Sequence, residues 1–116
     1  MTGEAAANRA EAAFARLVRR FADDSAVTPP IAGKGGKFGE SALKVNGKIF
    51  AMVSGGNLVV KLPRDRVDQL VAAGKGTPFD AGSGRVMKEW VAVPPDASRS
   101  WPGLADEARE FVGGRR

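Results

Sequence analysis

The sequence predicts an α+β fold, a two-layer sandwich with an antiparallel sheet of about five strands in the order α-β-β-β-α-β-β-α. Three observations predict it. Asn46-Gly47 and Gly55-Gly56 punctuate three short apolar runs between Ser41 and Leu62. Apolar residues recur at helical spacing near both ends of the chain. The whole fits in 116 residues, the usual size of one domain, so residues 1–116 are expected to form a single unit with its core at about 4–113.

Each element follows from its local pattern. Between Glu4 and Ala22, Phe14, Leu17, Val18 and Phe21 share one helical face, which Ala7 and Ala10 extend. Arg9, Arg16, Arg19 and Arg20 lie largely off that stripe as a solvated face. Asp23-Asp24-Ser25 interrupts the pattern, and Thr28-Pro29-Pro30 forbids helical continuation. Ile31 to Gly39 is a Gly/Lys loop. Ser41 to Val45 and Lys48 to Val53 then form a hairpin, because Asn-Gly is the pair that a type I′ turn demands. Gly55-Gly56 turns the chain into a third strand, Leu58 to Leu62. Pro63 opens a short helix at its tolerated first-turn position, with Val67, Leu70 and Val71 on one face and Gly74 as its stop. Thr77 to Asp80 and Val86 to Val93 read as strands on either side of Gly82-Ser83-Gly84. A last helix carries Leu104, Ala108, Phe111 and Val112, with Ser100 as candidate cap and Gly113-Gly114 as stop. The helices are expected mainly on one face of the sheet.

The central strands pose a problem. The Gly55-Gly56 turn sets Val53 opposite Leu58, Ala51 opposite Val60 and Ile49 opposite Leu62, a wholly apolar face. The Asn46-Gly47 turn pairs Leu43 with Phe50, and Val59 lies across from Met52, so the second face is apolar too. A one-sided antiparallel sheet should instead alternate apolar and polar residues. Either the helices divide between the faces, or another molecule covers one of them, as a homodimer or a protein-binding face.

Composition narrows the chemistry. The chain has no His, Cys or Tyr, hence no imidazole base, thiolate nucleophile, His/Cys zinc site or phenolic acid. Catalysis would have to rest on Asp, Glu, Lys, Ser or Thr, and a non-enzymatic role without metal or cofactor is the expectation. Asp23-Asp24, Asp65/Asp68 and Asp106/Glu107/Glu110 are the carboxylate groupings, and none shows a sequence-visible reason for a raised pKa. Acids near helix starts complement the helix dipole, which accounts for Asp65 and Asp106. The absence of Cys fits a reducing compartment. No apolar run nears the ~20 residues of a membrane span, and residues 1–8 lack a signal-peptide pattern. The chain is expected in the cytoplasm.

Two segments invite a binding role. Residues 31–62 carry Lys34, Lys37, Lys44, Lys48 and Lys61 against Glu40 alone, +4 of a net +5. Such an excess attracts nucleic acid or another polyanion, while lysines on edge strands also serve to block edge-to-edge pairing. The Gly/Lys loop fails the phosphate-loop spacing: Ile31 stands where the first Gly belongs for Gly36-Lys37, and Phe38 replaces Ser/Thr. Sliding the motif to Gly33-Lys34 fails at Thr28 and Gly35, and the dinucleotide fingerprint fails at Phe38. The second segment is Lys88-Glu89-Trp90. In a strand Lys88 and Trp90 share one face, where an indole beside an ammonium can stack on a planar ligand or simply pack with a lysine stem.

From Lys37 onward the chain resembles a known family. Lys37-Phe38-Gly39, the strand-turn-strand Ala42 to Ala51 around Asn46-Gly47, and Met87-Lys88-Glu89-Trp90-Val91 resemble the TfoX/Sxy N-terminal-domain-like family. Its members are small bacterial proteins named for a regulator of competence. The resemblance covers about residues 10–112, and a related-looking group, the MmcQ/YjbR-like proteins, shares the late Lys-x-Trp. It implies a two-layer α/β sandwich and a regulatory or interaction role without shared catalytic residues. Phe38, Gly39, Asn46, Gly47 and Phe50 match as structural positions; Lys88 and Trp90 are the matched positions most open to binding. Against that family's named regulator, the chain is expected to be a lone N-terminal-type domain without the second, C-terminal one.

The leading expectation is a binding module acting through protein contacts, with an unknown protein partner or a second copy. The first alternative is a nucleic-acid-binding accessory protein using the basic segment 34–61. The second is a small-molecule site at the Gly-rich loop. The candidate binding surface is Lys34, Lys37, Lys44, Lys48, Lys88 and Trp90.

Overall fold

A computed structural model describes residues 2–29, 42–54, 56–80 and 86–114. The elements are α1 (Thr2–Arg20), β1 (Val27–Thr28), β2 (Ala42–Val45), β3 (Lys48–Ser54), β4 (Asn57–Lys61), α2 (Arg64–Ala72), β5 (Thr77–Asp80), β6 (Val86–Val93), a 3₁₀ segment (Pro95–Ser100) and α3 (Trp101–Gly113). Among the described residues the strands make one six-stranded antiparallel sheet in the order β1-β2-β3-β4-β6-β5. The strand beyond the expected five is β1, whose Val27 and Thr28 pair with Val45 and Lys44 in what the sequence presented only as a helix break. The Gly-rich segment 31–39, with Lys34 and Lys37, and the Gly82-Ser83-Gly84 turn lie outside the described residues.

Turn chemistry sets the central strands. Asn46 and Gly47 both have positive φ, 52° and 81°, as a type I′ turn requires. Gly56 (φ 80°) belongs to the second turn, closed by Ser54 opposite Asn57. The expected pairs Val53–Leu58 and Ala51–Val60 form. The expected Leu43–Phe50 pair does not: Lys44 pairs with Ile49, but Leu43 pairs with Ala51, so Phe50 is the extra residue of a β-bulge. A bulge moves every residue beyond it by one. Leu43 therefore joins Phe50 and Ala51 in the cluster under the helices, while Ile49 packs with Met52 on the other side.

All three helices use the same face. Ala10, Ala13, Phe14, Leu17 and Phe21 from α1, Val67 and Leu70 from α2, and Trp101, Leu104, Ala105 and Ala108 from α3 share one core with the inward strand residues. Phe21 meets Phe50 edge-on with ring centroids 5.3 Å apart. The fully buried Trp101 donates its indole N–H to the Pro94 carbonyl at 3.2 Å. Phe111, expected on the buried stripe of α3, is 39% exposed, because the stripe runs through Ala105 and Ala108 instead. Ser100 occupies the N-cap position of α3 but makes no side-chain cap; its hydroxyl donates back to the Ala97 carbonyl at 2.7 Å. Pro63 sits one position before the first helical residue of α2 rather than at it. Gly74 (φ 73°) ends α2 as expected, with the Lys75 N–H reaching the Leu70 carbonyl at 2.9 Å.

The second apolar face is not open. Ala42, Met52, Val59 and Ala92 form a row across β2, β3, β4 and β6 and are 2%, 4%, 0% and 6% exposed. Phe79, Ile49 and Trp90 pack against this row. The helices do not divide between the faces, and the row is covered without a second molecule.

Candidate functional site

The six candidate binding residues do not converge. Lys34 and Lys37 lie outside the described residues. Lys44 is half-buried on β2, and Lys48 is exposed beside the turn of the first hairpin. Lys88 and Trp90 do come together, at the one place where β6 leaves its neighbour. Pro78 pairs with Val91, but the next β5 residue, Phe79, pairs with Met87, so Lys88, Glu89 and Trp90 have no partner position on β5. The same stretch stays attached to β4: Trp90 pairs with Lys61, and the Leu62 N–H donates to the Glu89 carbonyl at 2.9 Å. A bulge of this length parts the two strands locally.

Beside the bulge lies an open cleft of about 300 Å³ between α2, β5 and β6, lined by Arg64, Val67, Asp68, Val71, Ala72, Pro78, Lys88 and Trp90. Arg64 and Asp68, four residues apart, stand on one face of α2. The half-buried Trp90 also receives Lys61, whose Nζ lies 5.9 Å from the ring centroid and which does not line the cleft. The indole is therefore braced by a cation–π contact on the sheet and presents another part of its surface to the cleft.

Elsewhere three arginines join elements through carboxylates. Arg9 pairs with Asp96 at 3.0 Å, Arg20 grips Asp106 at 2.6 and 3.2 Å, and Arg66 grips Glu107 at 2.9 and 3.1 Å. Of the carboxylates that the sequence offered for chemistry, Asp106 and Glu107 are thus structural. Arg64, Asp68 and Lys88 are exposed and make no ion pair or side-chain hydrogen bond with any described residue. The residues of the cleft that sequence reasoning missed come from α2, apart from Pro78 on β5. Their signal, Arg64, Asp68 and Val71 recurring at helical spacing, was present but pointed to no particular strand.

One further ionic group is buried. Arg109, 4% exposed, donates through Nε to Asp24 Oδ2 at 2.7 Å, through Nη2 to Oδ1 at 3.3 Å and through Nη1 to the Gly114 carbonyl at 2.7 Å. The hydrogen bonds that it donates to Asp24 hold the guanidinium above the ordinary arginine value, with burial opposing them and Coulomb attraction adding to them. Asp24 also accepts the Ala26 N–H at 3.1 Å, which shapes the turn into β1. Every polar atom of the pair is used internally, which marks a structural clamp.

A family model for the TfoX N-terminal domain matches residues 34–112. The chain belongs to the TfoX N-terminal domain family. The match takes in β2 through α3 and therefore the whole cleft. A search of curated proteins found no relative, and a search of solved structures found no match. Among the described residues, no helix of this TfoX N-terminal domain is long and apolar enough to cross a membrane.

Proposed function

We propose that this TfoX N-terminal domain is a non-catalytic regulatory module of the cytoplasm that works by contact with a partner protein, made at the cleft beside the β6 bulge. One observation carries the reading: Arg64, Asp68 and Lys88 ring an indole-lined cleft without engaging other described residues, while four other arginines are each committed to an acid. Aromatic residues with adjacent charge are typical anchors of protein contacts. The test is affinity capture from native cell extract with wild type and the Lys88→Ala/Trp90→Ala variant, followed by reconstitution from purified components. A partner that binds the wild type directly and loses about tenfold or more affinity for the variant supports the reading. Turnover of a substrate by the purified chain, abolished by one Asp, Glu, Lys or Ser substitution, overturns it.

A second reading is nucleic-acid binding. It is favoured by the placement of Lys44, Lys61 and Trp90 on the sheet face away from the helices, two cations and one aromatic ring. Phosphate contacts make affinity fall steeply with salt, by roughly 10³ for six of them between 50 and 200 mM. Retention of single-stranded DNA or RNA at low salt, lost on Lys44→Ala/Lys61→Ala substitution, would favour it; no retardation at low salt removes it.

A further inference from the structure

Three properties of the cleft define what fits it. Its apolar lining is two rings, Trp90 and Pro78, and three aliphatic side chains, Val67, Val71 and Ala72. Around these stand two cations and one acid, Arg64, Lys88 and Asp68, uncommitted among the described residues. The volume of about 300 Å³ is at the small end for a ligand site and suits one bulky side chain better than a helix laid in a groove.

We propose that the cleft receives a single tyrosine or tryptophan side chain from an acidic segment of the partner protein. This rests on the reading that the cleft is the protein contact. The incoming ring lies against Trp90 and Pro78, where offset or edge-on aromatic contact adds to the gain from burial. Its O–H or N–H donates to the Asp68 carboxylate, which would otherwise be an unfavourable neighbour for an apolar group. Arg64 sits about 6 Å from Asp68 along α2, and Lys88 faces them from β6, so acids flanking the anchor meet a cation on either side. Asp68 alone opposes those two cations, and the chain as a whole carries +5, so approach of an acidic segment is favoured and approach of a basic one is not. Pairing a partner strand onto the β5 edge is hindered by Pro78, which has no N–H to offer. Insertion of a side chain does not need that edge.

The test is an NMR titration of the isotope-labelled full chain with a capped pentapeptide in which a tyrosine stands between two pairs of acids. Saturable shifts are expected at the amides of Val67, Asp68, Val71, Ala72, Lys88 and Trp90. Replacing the tyrosine with alanine weakens binding about tenfold or more, and exchanging the acids for lysines abolishes it. Arg64→Ala and Lys88→Ala each weaken the acidic peptide, while Asp68→Asn narrows the difference between the tyrosine peptide and its phenylalanine counterpart. A tyrosine peptide that binds no better than the alanine peptide overturns the proposal, as do shifts elsewhere on the molecule or saturation of the cleft by AMP but not by the peptide. If the peptide fails while Lys88→Ala/Trp90→Ala still loses the cellular partner, the cleft remains the contact and the anchor chemistry is wrong.

Discussion

Arg109 shows how far a single side chain reaches in a domain this small. Its guanidinium joins α3 to the loop after α1 by way of Asp24, 85 residues away in sequence, and holds the chain end through the Gly114 carbonyl. Taking two charges out of water is costly, so the pair need not add much net stability, but removing one partner strands the other. Asp24→Ala is expected to cost about 3–5 kcal/mol, read as a fall in the urea midpoint, while Asp24→Ala/Arg109→Met recovers most of the loss. A guanidinium raised in the folded state contributes below the unfolded arginine value and loses that contribution only as pH climbs through the folded value, both at extreme alkalinity. The stability difference between wild type and Arg109→Met should therefore stay the same from about pH 7 to pH 10. Nothing in the local sequence around Arg109 marks it as buried. At a helical position an arginine reads as solvated, and only the fold brings Asp24 to it.

At the scale of elements, turns were legible and bulges were not. Asn46-Gly47 states its geometry outright, since both residues must take positive φ, and the strands on either side fell within a residue of their expected bounds. An added β-carbon at Gly47 would meet nothing within 4 Å, so the cost of Gly47→Ala is conformational alone. It is expected to be about 1–2 kcal/mol, measurable as a lower denaturation midpoint, with the β2–β3 amides the first to lose exchange protection. A two-residue turn fixes register only until an irregularity intervenes. The Phe50 bulge lies just two residues beyond the Lys48 pairing, which is why Leu43 and Ile49 exchanged faces relative to expectation. The same blindness hid the site. Lys88 and Trp90 stood out as a cluster, but that β6 parts from β5 there and lies beside α2 depends on long-range pairing, which leaves no local signature.

Across the whole molecule, the sheet is defended at both margins. One edge is β1, two residues long and followed by Pro29; the other is β5, which contains Pro78. Short edges and prolines remove the donors on which a second sheet would build. The apolar row that suggested a homodimer from sequence is already covered, with Val59 fully buried. The row therefore offers no open apolar face on which a second copy could seat. The wild type is accordingly expected to sediment as a monomer. Pro78→Thr restores an N–H and a β-branched side chain to an exposed edge position without altering the cleft's charges. Sedimentation equilibrium should then show an apparent mass that rises with concentration for Pro78→Thr alone. A wild type that dimerises as strongly as the variant would show that the prolines do not govern assembly, and that the covered row is not the whole of the second face.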